Sequence, residues 1–240
     1  MANPGQGRRS AGAVPAATLL ASLLIVVVSC SQAIGGTAVY SPGDSRAGSV
    51  QVRVSQLQSL VLSIADVGAL LGIPDLAPTD VPAIRTLPSG VLSDPSCGTV
   101  MQTGWLPTYR RSGQIGAGGL VARNPHERQF SETVAAFRDA AAARAFVGTV
   151  IAQWKACAER PITQNFEGTH VNFMGFGPSH SYGVDVLLVR REGGRGFACS
   201  RAITASSNVT ADVGVCGPDE TVVNDQSARV VNAILARIPA

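Results

Sequence analysis

The chain has 240 residues, 45% of them hydrophobic and 15% charged, a balance that suits a packed globular domain and excludes a disordered polymer. Of its 19 Lys and Arg, Arg8 and Arg9 sit in an N-terminal leader, which leaves 17 basic residues facing 16 acidic ones. The body of the chain is therefore close to neutral, its basic residues are scattered, and nucleic acid is not an expected partner.

Arg8 and Arg9 precede an apolar run from Ala16 to Val28, 13 residues long. That is short of the roughly 20 needed to cross a hydrocarbon layer as a helix, so residues 1–29 read as an export signal. The run ends in Val27-Val28-Ser29-Cys30, which resembles the bacterial lipobox. The resemblance implies that the Cys30 thiol receives a diacylglycerol and that the leader is cut in front of it. Each buried CH₂ of an acyl chain contributes about 0.8 kcal/mol of membrane affinity, so two or three chains hold a domain firmly. The expected location is the outer, extracytoplasmic face of a cell membrane, with the membrane itself as partner through the lipid. Residues 30–56, rich in Ser, Gly and Ala without a sustained apolar period, read as a flexible tether, and residues 57–240 as one domain.

With Cys30 set aside, Cys97, Cys157, Cys199 and Cys216 remain, an even number for an oxidising compartment. Four cysteines allow three pairings, and spacing alone does not choose among them. No Cys-x-x-Cys occurs, which argues against a zinc site or a redox dithiol.

Residues 57–71 are apolar, with Ser63 and Asp66 placed to cap a helix and Gly72 and Pro74 to stop it. Residues 74–128 are loop-rich, carrying Pro74, Pro78, Pro82, Pro88 and Pro95 ahead of Cys97. Gly113, Gly116, Gly118 and Gly119 lack a phosphate-cradling spacing and are expected in a turn or hairpin. A strand is expected over 129–137. Asp139 then caps a helix with Phe146, Val147, Val150, Ile151, Trp154 and Ala158 on one face and Pro161 at its end. Trp154 is expected to be a core anchor and Cys157 to face inward. Strands follow over 169–176, 182–191, 196–204 and 208–216, joined by turn residues into an antiparallel meander. Asp225 caps a final helix that turns Val230, Val231, Ile234, Leu235 and Ile238 to the sheet.

These residues resemble the PknH-like extracellular domain family, found as the sensor region of a mycobacterial receptor kinase and in many lipoproteins. The likeness runs from about Leu62 to Ile238. It rests on Leu-Ser-x-x-Asp-Val-x-x-Leu-Leu-Gly at 62–72, Cys97 in its proline-rich loop, and Phe-x-x-x-x-x-Ala at 137–143. It continues through Trp154-x-x-Cys157-Ala158, Cys199-x-Arg201-Ala202 and the 208–216 strand. The resemblance implies an α+β fold, a central antiparallel sheet flanked by helices, with a cleft for a ligand and with disulfides Cys97–Cys157 and Cys199–Cys216. No kinase domain or spanning helix is read here, so direct transmembrane signalling by this chain alone is not expected.

For catalysis, Ser179, His180, Ser181 and Asp185 lie close in sequence but form no Gly-x-Ser-x-Gly elbow. The pattern of His126, His170 and His180 does not fit a metal site, and no cofactor is expected. Glu159, Glu167 and Glu192 could serve a glycosidase only if the fold set their separation. Asn208-Val209-Thr210 is a glycosylation sequon, read as coincidental. Trp105, Tyr109, Phe176 and Tyr182, expected on loops or strand ends, are the candidate ligand contacts. The sequence thus points to a ligand-binding, sensor-like domain for an unidentified small-molecule or envelope ligand. The alternatives are an envelope hydrolase acting on glycan or lipid and a non-enzymatic adaptor for another envelope protein.

Overall fold

The computed structural model describes residues 51–166 and 168–239; the leader, Cys30, the greater part of the tether and Glu167 lie outside them. The described fold begins ahead of the expected boundary at Leu57. Val52 is buried, its N–H donating to Asn208 Oδ1 at 2.8 Å and its carbonyl accepting from Asn208 Nδ2 at 3.0 Å. The Asn208 side chain also reaches the Phe137 carbonyl at 2.9 Å, so the residue of the sequon is a buried clamp joining three segments.

Two short helices, α1 (Leu57–Leu60) and α2 (Ile64–Leu71), come first. Ser63 Oγ accepts the Asp66 N–H at 3.1 Å while the Asp66 carboxylate takes the Ser63 hydroxyl at 2.7 Å, a capping box in which each residue satisfies the other. Gly72, at φ 67°, closes α2 in the left-handed conformation that glycine adopts without a Cβ clash. A two-residue strand β1 (Ala77–Pro78) opens a long crossing segment that contains α3 (Gly98–Met101) and α4 (Leu106–Tyr109). Strands β2 (Gly116–Arg123) and β3 (Gln129–Ala136) follow, then α5 (Ala140–Cys157). Next come β4 (Pro161–Phe166), β5 (Thr169–Gly175), β6 (Ser179–Ser181) and β7 (Val184–Arg191). The chain ends with β8 (Ala198–Ser206), β9 (Val209–Gly217), α6 (Glu220–Val223) and α7 (Gln226–Leu235).

The strands make one antiparallel sheet in the order β1-β2-β3-β9-β8-β7-β5-β4, with β6 on β7. The fold is α+β, and its disulfides join Cys97 to Cys157 and Cys199 to Cys216. Cys199 and Cys216 are direct partners across β8 and β9, whereas Cys97–Cys157 ties the crossing segment to the end of α5. Closing loops of 60 and 17 residues stabilises by about 4 and about 3 kcal/mol on chain-entropy grounds.

Alternation along the strands gives each face its own core. Val134, Ala136, Val213 and Val215 pack with α1, α2 and α7, whereas Ala135, Phe137, Leu187, Val189 and Ile203 pack with α5. Helix α5 starts on Asp139, whose Oδ1 accepts the Ala142 N–H at 2.7 Å. It buries Ala143, Phe146, Val147, Val150, Trp154 and Cys157 along one stripe, with Ile151 at its margin. Trp154 is fully buried, and its indole N–H meets the Thr99 carbonyl at 3.0 Å, so the ring anchors α5 to α3.

Strands β1, β2, β4 and β6 were not among the strands expected, and β2 and β4 show why. Gly116, Gly118 and Gly119 lie inside β2, and only Gly113 is in the preceding turn. A Cβ on Gly119 would stand 2.1 Å from the Glu132 carbonyl oxygen and 2.6 Å from the Ala83 Cβ; the glycine permits close backbone approach within a strand. Pro161 does end α5, but it also begins β4, which lies at the end of the sheet order. The first residue of an edge strand is one of the few sheet positions where a missing N–H costs nothing.

Candidate functional site

Helix α5 does not cover the whole of its sheet face. The rest of that face is roofed by the segment around residues 81–88 together with Met101 and Gln102, leaving a cleft of about 540 Å³. Its floor draws on consecutive strands: Val121 and Arg123 of β2, Gln129 and Ser131 of β3, Gly214 and Cys216 of β9. Cys199 of β8, Arg191 of β7, Phe173 of β5 and Gln164 of β4 continue it. The roof is held by backbone bonds, Arg85 N–H to the Gly104 carbonyl at 3.1 Å and Leu106 N–H to the Arg85 carbonyl at 2.9 Å. The Gln102 side chain adds a bond to the Arg85 carbonyl at 3.0 Å, and Thr133 Oγ1 donates to the Ala83 carbonyl at 3.2 Å.

Beneath the roof lies a buried ion pair, Arg201 to Asp212 at 2.7 Å, with both side chains 3% exposed. Arg201 also donates to the Thr99 carbonyl at 2.8 Å. Asp212 Oδ2 accepts from the Gly104 N–H at 3.0 Å and the Tyr109 hydroxyl at 3.3 Å. Burial first, and then the Asp212 charge, push the Tyr109 phenol well above its usual value, so it stays a donor. The network fastens the crossing segment to the sheet and fixes the height of the cleft roof.

Arginines dominate the cleft's charge: Arg85, Arg123 and Arg191 line it with no Asp or Glu beside them. Burial holds the Arg85 guanidinium below its usual value, and the Arg123 and Arg201 charges push the same way. The Arg191 guanidinium lies over the Phe197 ring, 4.5 Å from its centroid.

A second, larger cavity of about 810 Å³ is a groove between α5 and residues 95–113, walled by Trp105, Pro107 and Phe146. Its charged residues are Arg111 and Arg138, and Arg138 is 3.1 Å from Asp139. We regard the smaller cleft as the candidate site despite the groove's size, because a cleft floored by rigid strands holds its polar groups in fixed positions.

The four aromatic candidates are not brought together. Trp105 lines the groove and packs its indole against Gly98, where a Cβ would sit 2.1 Å from the ring. Tyr109 belongs to helix α4, not a loop, and is buried on Asp212 and against Phe146, ring centroids 4.7 Å apart. Phe176, just past β5, is half-buried under the Arg190 guanidinium at 4.6 Å. Tyr182 is 60% exposed in the turn between β6 and β7 at φ 50°. Neither Phe176 nor Tyr182 lines either cavity.

His180 and Asp185 do meet, Nδ1 to Oδ1 at 3.5 Å, but on an exposed hairpin, and Ser181 Oγ turns to Asp225 at 3.4 Å. Glu159 and Glu192 are exposed and outside both cavities; Glu167 is outside the described residues. Among the described residues no group of three His, Cys, Asp or Glu could hold a metal ion. Sequence reading missed Arg85, Arg123, Arg191 and the Arg201–Asp212 pair. For Arg191 a signal existed: it is in phase with the inward Leu187 and Val189.

The model of the PknH-like extracellular domain family matches residues 52–237. The chain is 27% identical over 196 residues to the serine/threonine-protein kinase PknH of Mycobacterium bovis, covering 78% of this chain and 31% of that one. It is 26% identical over 192 residues to the kinase PknJ of Mycobacterium tuberculosis, covering 77% of this chain and 33% of that one. The chain thus spans about a third of the length of these relatives. Its fold is similar to the crystal structure of the extracellular domain of PknH from Mycobacterium tuberculosis. The TM-score is 0.71 and the identity 26%, over 80% of this chain and 98% of that one.

Proposed function

Because the chain belongs to the PknH-like extracellular domain family, we propose that it is an extracytoplasmic sensor-type domain that binds a ligand in the half-roofed cleft on the α5 face. The observation that carries this reading is the sheet face left open beyond α5, floored by rigid strands and lined by polar side chains. Its volume falls in the range of small-molecule sites, roughly 300–1,000 Å³. A binding role is favoured by the lining, which offers neutral amides, the Thr86 and Ser131 hydroxyls and guanidiniums, groups suited to holding a ligand.

The reading extends to attachment. Export by the leader and acylation of Cys30 hold the domain at the membrane surface, and two disulfides suit an oxidising compartment. The anchor in this reading is the lipid on Cys30, as the lipobox-like Val27-Val28-Ser29-Cys30 suggests; no single helix among the described residues is long and apolar enough to cross a membrane. Contact with another envelope protein would carry the signal onward.

Native mass spectrometry of the chain extracted in detergent from its host membrane tests both parts. The expected result is a diacylglycerol mass on Cys30 with the leader removed, and a Cys30→Ala variant that carries neither change. A small molecule co-purifying with the wild type should be absent from Ser131→Trp, which fills the cleft floor, provided that variant unfolds at a comparable temperature. An unacylated chain would remove the anchor, and a co-purifying ligand retained by Ser131→Trp would remove the cleft.

A further inference from the structure

We infer that the cleft takes a small polyanion, a molecule bearing phosphate or carboxylate groups, held by Arg85 from the roof and by Arg123 and Arg191 from the ends of β2 and β7. The inference rests on the proposed cleft function and adds the chemistry of its ligand. Three cationic side chains from three separate elements share one lining that contains no Asp or Glu. Five other arginines have carboxylate partners, Arg138 with Asp139, Arg160 with Asp94, Arg190 with Glu220, Arg201 with Asp212 and Arg237 with Asp66. Several more form no ion pair among the described residues, so what distinguishes Arg85, Arg123 and Arg191 is that all three share one lining. Among the described residues, no ion pair forms at Arg85, Arg123 or Arg191.

Clustered like charges repel, most strongly where solvent is partly excluded. Arg85 feels that repulsion from its neighbours in addition to its burial, and a bound anion offsets both. Two of the guanidiniums are also pre-positioned. Arg85 donates one N–H to the Pro82 carbonyl at 2.9 Å, and Arg191 is stacked on Phe197, which leaves its edges available for the bidentate bonds that oxyanions accept. Gln129, Ser131 and Gln164 add neutral donors to the same space.

The test is a titration of the full chain, ¹⁵N-labelled and held in detergent, with pyrophosphate and with citrate at constant ionic strength, following the arginine Nε–Hε resonances. The expected result is a saturable shift of the Arg85, Arg123 and Arg191 signals together, with those of Arg111 and Arg138 unmoved. Arg85→Gln combined with Arg191→Gln should weaken binding on the order of tenfold or more, whereas Arg111→Gln in the other groove should leave it unchanged. Binding of pyrophosphate alone assigns a phosphate ligand, and binding of citrate alone a carboxylate. Shifts that sodium chloride reproduces, or no saturable shift in the wild type, overturn the inference whether or not the variants fold. If neither anion binds while a neutral molecule co-purifies in the cleft, the charge assignment falls and the sensor reading stands; if nothing occupies the cleft at all, both fall.

Discussion

The two faces of the sheet each bury one acid, and the two acids are treated oppositely. On the α5 face Asp212 is met by Arg201, Tyr109 and the Gly104 N–H. On the α7 face Glu132 is fully buried with one bond, from the Leu62 N–H to Oε1 at 2.8 Å, and its Oε2 has no hydrogen-bond partner. Burial pushes the Glu132 carboxyl up to about 8, a rise that the Leu62 bond and the Arg237 charge only partly oppose. The partnered acid stands beside the face that keeps a cleft; the lone acid lies under the face that helices close. The ion pair stands beside the open cleft, and the closed face carries a carboxyl whose burial favours the neutral form.

Removing the partnered acid should have the largest effect. Asp212→Ala leaves Arg201 charged and buried without its counter-ion, and loss of about 3–5 kcal/mol is expected, read from the midpoint of chemical denaturation. Next is the lone acid. Because Glu132 in the folded chain holds its proton up to about pH 8, the folded state binds more protons than the unfolded one above the ordinary carboxyl range. Stability therefore falls as pH rises from about 4.5 through about 8, by an amount on the order of a few kcal/mol. Glu132→Gln should flatten that slope when the midpoint is followed from pH 5 to pH 9; an unchanged slope would show that the faces do not differ in this way. The smallest effect is expected of Tyr109→Phe, which removes one of several bonds to Asp212 and should cost about 1 kcal/mol. A loss as large as that of Asp212→Ala would mean that the phenol, and not the ion pair, fastens the roof.

The periodic elements were legible in the sequence for a physical reason: α5, α7 and strands β5, β7, β8 and β9 bury side chains at their own repeat. The glycines of β2 were not, because the small size that lets Ala83 and β3 approach Gly119 is also what marks a turn. The cleft itself is made by an absence, the end of α5 short of the sheet's margin, which no residue announces. Arg85 and Arg123 look like solvated arginines in a linear reading, and only the crossing segment brings them over one floor. Sequence placed the ligand aromatics by their setting on loops and strand ends, yet Tyr109 is committed to the Asp212 network and Tyr182 to the turn beside α7, where its carbonyl accepts from Asn232 at 3.0 Å.

The most direct measurement is a crystal structure of the chain grown with pyrophosphate. Density for the anion bridging Arg85, Arg123 and Arg191 above Ser131 is the predicted result. Density confined to the groove beside α5, or a cleft filled by side chains in place of ligand, would contradict it.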